Sequence, residues 1–398
     1  MKFLNQKFQI PYIKLMILFY VFAIAFSASS GAVLVKMARV FLVLVAVMYA
    51  VINKKVTIRG EVYIVWFMSF WTICALSCFW AVNYTYARNM IFTLIYILIT
   101  NLIINIMIKK REDYLFSIMK IAIVGAILHA LMIYGNHGIT AYLFTRGNGD
   151  LENANTLAFV CSFGMIFSFI IIKIKKNRMI FLYSILMCLN AFFAILTASK
   201  KVYIYIGVFF AVYFIVKSRT PIKMIRNFLI CVFSALVLAF ILIKVEVLYE
   251  LVGNRIITML SGLMGGETDG STSFRLSLIQ WGIEWFKAKP LFGNGIDCYK
   301  YLLGSNYSNL WTGSAGVYAH NNYIELLVDI GLIGTCIYYY LYMIIVIKSI
   351  RRMKDRDELA RSSLAIIISL IITEFSQVSY FNPFLQLVLV LTWNMLRE

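Results

Sequence analysis

Apolar runs close to the length of a membrane span recur along the chain, with short polar breaks between them. A helix crossing the hydrocarbon needs about 20 mostly apolar residues, since no backbone polar group can be left unpaired there. The runs lie at 12–30, 33–52, 61–80, 88–108, 115–135, 154–172, 179–197, 202–217, 226–243, 321–347, 361–378 and 382–396. They predict an all-α polytopic membrane protein of about 12 spans, or 11 if one of the two short runs, the eighth and the last, fails to cross. Residues 1–243 would carry the first nine helices, 244–320 a long extramembrane segment, and 321–398 the last three.

Composition agrees with the pattern. The 398 residues are 62% hydrophobic and 14% charged, with a mean hydropathy of +0.84, more than a water-soluble core can hide. A net charge of +19 would suggest a nucleic-acid partner if the cations formed one patch, but they do not. Most of them fall in every second connection, among them Lys54, Lys55, Arg59; Lys109, Lys110, Arg111; Lys173, Lys175, Lys176, Arg178; and Arg351, Arg352, Lys354, Arg356. Excess Lys and Arg mark cytoplasmic loops, so the charge is a topology signal that places both termini inside, and no nucleic acid is implied. The first helix is read as retained, because more spans follow Ala25–Ser30. Six cysteines sit in apolar runs and Cys298 stands alone, so no disulfide framework is expected.

On the other side two connections are long, 136–153 and about 244–320. The second carries a cap-like Ser271-Thr272-Ser273 and an expected helix over Phe274–Lys287, closed by Pro290 and Gly293 and suited to the membrane interface. Basic residues that break the alternation need another explanation: Lys36, Arg39, Arg88, Arg146, Lys200, Lys201, Arg255 and Arg275. Together they suit an anionic headgroup such as a phosphate or diphosphate; singly, each can snorkel to lipid phosphate. Glu325, Asp329 and Glu374 lie within spans, where an acid needs a partner, and pairing with Lys36, Arg39 or Lys200 is the simplest expectation.

His320 opens the tenth span. A helix start disfavours a cationic imidazole, so this side chain is either a neutral base for a hydroxyl proton or a cap for the helix. His129 reads as packing and His137 as solvated. No cluster with metal-ligand spacing appears, and no cofactor is called for.

His320-Asn321 followed by Glu325 and Gly331-Leu332-Ile333-Gly334, and preceded by Arg275, Trp281 and Pro290-Leu291-Phe292-Gly293-Asn294-Gly295, resembles the O-antigen ligase and polymerase superfamily of bacterial envelope glycosyltransferases. Arg146 with Asn153-Ala154-Asn155 is similar to that family's Asn-Pro-Asn segment, with Ala154 in place of proline. Ser199-Lys200-Lys201 is similar to its Ser-Arg element, with lysine in place of arginine, which keeps the charge but loses the bidentate fork. The resemblance implies a GT-C-like membrane fold in the bacterial inner membrane with its active face periplasmic. The implied activity is inverting, metal-independent transfer of an undecaprenyl-diphosphate-linked oligosaccharide to an acceptor hydroxyl.

By that resemblance His320 is the base, Arg275 a cation for the leaving diphosphate, and Glu325 an assisting group. Arg146, Asn155, Lys200, Lys201, Arg255, Asn321, Lys36 and Arg39 are the candidate binding residues. A polymerase of repeat units is the leading expectation, with membrane lipids, a chain-length regulator and a flippase as partners. The alternatives are a ligase moving finished glycan onto lipid A core and a flippase or transporter for the lipid-linked glycan.

Overall fold

The computed structural model describes residues 2–27, 32–53, 61–110, 113–138, 153–174, 179–197, 199–218, 220–244, 270–307, 317–353 and 357–397. Among these every regular element is a helix. In chain order they are α1 (Lys2–Ser27), α2 (Val33–Asn53), α3 (Val62–Leu76, continued by a tighter turn at Ser77–Phe79), α4 (Tyr84–Lys110), α5 (Asp113–His137), α6 (Ala154–Ile174) and α7 (Ile180–Leu196). There follow α8 (Lys200–Val216), α9 (Pro221–Lys244), α10 (Gly270–Ala288), α11 (Tyr299–Asn306), α12 (Asn322–Arg352), α13 (Glu358–Thr373) and α14 (Pro383–Asn394). Each apolar run in the sequence falls on one of them.

Six of the described helices are long and apolar enough to cross a membrane: Val33–Ile52, Val62–Phe79, Tyr84–Ile108, Asp113–His137, Ala154–Ile174 and Asn322–Arg352. Shorter apolar helices lie at Tyr12–Ser27, Ile180–Leu196, Lys201–Val216 and Pro383–Asn394. Helices that are apolar all round belong in an interior, and α14 is buried at every one of its residues, with α6 buried on most sides. By contrast α2 exposes Val40, Phe41, Leu44, Val47 and Met48, and α9 exposes Ile222, Ile225 and Phe228. Such wide apolar faces mark a protein that lives in a membrane.

The break in α12 organises one end of the bundle. Gly331 interrupts the helix with φ 66° and ψ −169°, which frees the carbonyls of Val328 and Asp329 and the N–H groups of Leu332 and Ile333. All four are taken by one loop: Asn294 N donates to Val328 O (2.8 Å) and Gly295 N to Asp329 O (2.8 Å), while Leu332 N donates to Pro290 O (2.9 Å) and Ile333 N to Leu291 O (3.3 Å). Buried backbone groups must be paired, so loop and helix complete each other. A Cβ on Gly331 would lie 2.3 Å from Leu291 O, and one on Gly293 2.5 Å from the Asp329 carbonyl carbon; glycine is demanded by close approach on both sides. The turn between α3 and α4 grips the same loop, with Val82 N donating to Asn294 O (2.8 Å) and Ile296 N to Ser77 Oγ (3.0 Å). The Pro290–Gly295 motif is therefore a docking plug and more than a helix stop.

The expected helix after residue 270 is present as α10, and its Leu278 is buried with Tyr299, Leu303, Ala319 and Val328. It packs on the start of α12 as well as presenting an exposed face at Leu276 and Ile283. All seven cysteines are free thiols.

Candidate functional site

Helix α12 begins beside α10, and its first residues set up the site. Asn321 is the N-cap, its Oδ1 accepting from Tyr323 N (3.0 Å) and Ile324 N (3.1 Å). His320 is thus relieved of the capping role that was one of its two readings. It holds a left-handed backbone, φ 53°, a conformation costly for a residue with a Cβ and often kept where function needs it. The strain is held from both sides, by the Asn321 cap and by the Glu325 carboxylate, which accepts from Ala319 N. The imidazole packs on Tyr318 with ring centroids 4.2 Å apart, and its Nδ1 is buried without a hydrogen bond. Burial, then the charges of Lys201 and Arg275, push its pKa down from 6.5 to about 4. At neutral pH the ring is uncharged, as a proton acceptor must be.

Arg275 on α10 and Lys201 at the start of α8 are close enough to act on one another and on His320. Lys201 is 8% exposed and donates through Nζ to the carbonyl of Ser376, in the turn between α13 and α14. It lines a cleft of about 100 Å³ with Asn153, Asn155, Tyr318, Gln377, Phe381 and Asn382 among its walls. The two segments singled out in the sequence meet here, with Ser199 Oγ donating to Asn155 Oδ1 (2.7 Å). Among the described lining residues there is no carboxylate. Burial, then the charge of Arg275, push the Lys201 pKa down from 10.5 to about 7, so an arriving anion would favour its charged form; with Arg275 and an uncharged imidazole nearby, the arrangement suits an anion next to a base.

Other candidates lie elsewhere. Arg39 stacks over Tyr96 at 5.1 Å and bears on Tyr20, so its described neighbours are on α1 and α4; Lys36 is exposed on α2. Neither lines the cleft. Arg146 and Arg255 lie outside the described residues, as does the side chain of Lys200. His129 is buried against Phe26 and His137 is exposed.

The expectation that the three buried acids pair with Lys36, Arg39 or Lys200 is corrected by their partners. Asp329 accepts from Asp297 N (2.7 Å) and Tyr299 N (2.8 Å), capping α11 from a neighbouring helix. Glu374 accepts from Tyr342 OH (2.6 Å), Tyr339 OH (2.8 Å), Asn322 Nδ2 (3.4 Å) and Ser379 Oγ. Hydrogen bonds to a carboxylate can replace a counter-ion, and a sequence cannot show which hydroxyls and backbone N–H groups will converge. Glu325 faces Ala319 and the buried side of the His320 turn, so it positions the turn. Sequence reasoning passed over Tyr318, Gln377 and Asn382, and also Lys300, which pairs with Asp297 (2.7 Å) near Tyr318. The signal available for Asn382 was its place before Pro383 as a helix start.

No curated protein matches the chain. Residues 182–339, from α7 into α12, match the family model described as O-Antigen ligase. That stretch contains Ser199, Lys201, Arg275, the Pro290–Gly295 plug, His320, Glu325 and Gly331, and with them the loop, the helix break and two of the cleft's lining residues, Lys201 and Tyr318. The chain has helices long and apolar enough to cross a membrane, and over residues 182–339 it is similar to the O-antigen ligase family.

Proposed function

We propose that this chain polymerises bacterial surface polysaccharide, passing an undecaprenyl-diphosphate-linked glycan to the hydroxyl of an acceptor sugar. The observation that carries the reading is an uncharged His320 on which Lys201 and Arg275 bear, with Lys201 and Tyr318 lining a cleft whose described lining residues include no carboxylate. In the reaction the acceptor oxygen forms a bond to the anomeric carbon and its proton passes to His320. The bond from that carbon to the diphosphate breaks with its electron pair, and attack from the opposite face inverts the centre. Charge grows on the departing diphosphate in the transition state, where fixed cations lower the barrier most. Side-chain cations fill the place a divalent metal would take, which makes the proposed transfer metal-independent.

The proposal includes twelve spans in the inner membrane with both termini cytoplasmic and residues 244–320 periplasmic, bringing the cleft to the leaflet where the lipid-linked donor is presented. A strain lacking the gene is the test: surface glycan reduced to a single repeat unit supports polymerisation. Loss of all attached glycan, with lipid-linked polymer accumulating, assigns ligation instead.

A further inference from the structure

We infer that Glu374 is a positioning residue that fixes Lys201 and His320 in one frame; the inference rests on the reading of those two residues as parts of a transfer site. Glu374 ends α13 fully inside the protein. Its carboxylate gathers Tyr339, Tyr342, Ser379 and the Asn322 amide, all neutral donors.

Asn322 repeats the same link through other atoms. Its N donates to Glu374 O (2.9 Å), and its Oδ1 accepts from Ser379 N (2.9 Å) and Tyr380 N (3.3 Å). The turn 374–380 is therefore tied at both ends to the first residue of α12, two residues after His320. Between those ties lies Ser376, whose carbonyl receives Lys201 Nζ. Gln377 and Val378, next in the turn, line the cleft. The base and the cation thus stand on segments that Glu374 and Asn322 join, beside the bond from Tyr323 OH to Ile371 O (2.7 Å).

A carboxylate suits the junction because it only accepts. Glutamine at 374 would turn an amino group either toward Tyr342 and Ser379, whose hydroxyls must then rotate to accept, or toward Tyr339 and the Asn322 amide, where donor meets donor; either way the network loses an acceptor. The effect on catalysis would pass through Lys201, so it should vanish when Lys201 is absent.

Donor turnover is measured with full-length protein in membranes for wild type, Glu374→Gln, Lys201→Ala and the double variant. Glu374→Gln is expected to lower kcat about tenfold with KM for the lipid donor within about twofold. In the Lys201→Ala background the same change should cost less than about twofold more. Tyr342→Phe, which deletes one donor and keeps the packing, should cost about threefold with the same dependence on Lys201, and it carries the test if Glu374→Gln does not accumulate. Equal losses with and without Lys201, or an unchanged kcat, overturn the inference. Wild-type turnover by Lys201→Ala instead removes the functional reading itself.

Discussion

Gly331→Ala tests the mutual completion of the plug and the broken helix. A side chain at φ 66° and ψ −169°, a backbone region that is essentially glycine's alone, costs about 1–3 kcal/mol. The new Cβ would also lie 2.3 Å from Leu291 O and 2.6 Å from Phe292 N, contacts with backbone that cannot rotate away. Relief requires the loop to lift off, which forfeits the four backbone hydrogen bonds at about 0.5–1.5 kcal/mol each. The sum is roughly 3–9 kcal/mol, a large share of the stability of a typical domain. Detergent-solubilised protein should lose at least about 6 °C in Tm, taking about 2 °C per kcal/mol for a long chain. Protease should cut the 290–298 segment faster, and transfer activity should fall with the loss of the α10 platform that carries Arg275. Gly207→Ala is the control, since nothing lies within 4 Å of its added Cβ, and alanine favours the helix by up to about 1 kcal/mol. A Gly331→Ala protein with wild-type Tm and an uncut loop would refute the argument.

Three further outcomes are expected. Arg275→Ala and His320→Ala should each abolish glycan product while leaving membrane levels intact; wild-type polymer length from either removes that residue from the site. With the His320 pKa near 4, protonation costs more in the folded protein than in the unfolded chain, where the value is about 6.5. Falling pH therefore removes both the base and some stability between those values, so transfer should persist to about pH 5 and halve near pH 4, and Arg275→Ala should move any residual profile upward; a midpoint near 6.5 in wild type contradicts the buried, cation-flanked imidazole. Asp329→Asn leaves one acceptor oxygen for two backbone donors at the start of α11 and should cost about 1–3 kcal/mol in thermal unfolding, with an unchanged Tm as the contrary result.

The helices were legible because long apolar runs have one economical solution in a membrane. The break inside α12 was not, since Gly331 sits in an unbroken apolar stretch and hydropathy is blind to a local change of φ. Two glycine-containing motifs, one in the loop and one in the helix, were the available sign that backbones approach there. His320 stood out from its position at a helix start, yet only coordinates separate it from Asn321 as the cap. Of the paired lysines, Lys201 lines the cleft, while the side chain of Lys200 lies outside the described residues. The acids misled most: three embedded carboxylates suggested ion pairs, whereas tyrosine hydroxyls, a serine, an asparagine and backbone N–H groups are their hydrogen-bond donors, and Glu325 keeps one buried oxygen unpaired.

Purified full-length protein in proteoliposomes, supplied with a polyprenyl-diphosphate-linked repeat unit and an acceptor glycan, tests the central claim most directly. The account predicts a longer glycan with an inverted linkage, one free polyprenyl diphosphate released per bond formed, and neither product from Arg275→Ala or His320→Ala. Movement of the labelled lipid-linked glycan across the bilayer without any new glycosidic bond would contradict it.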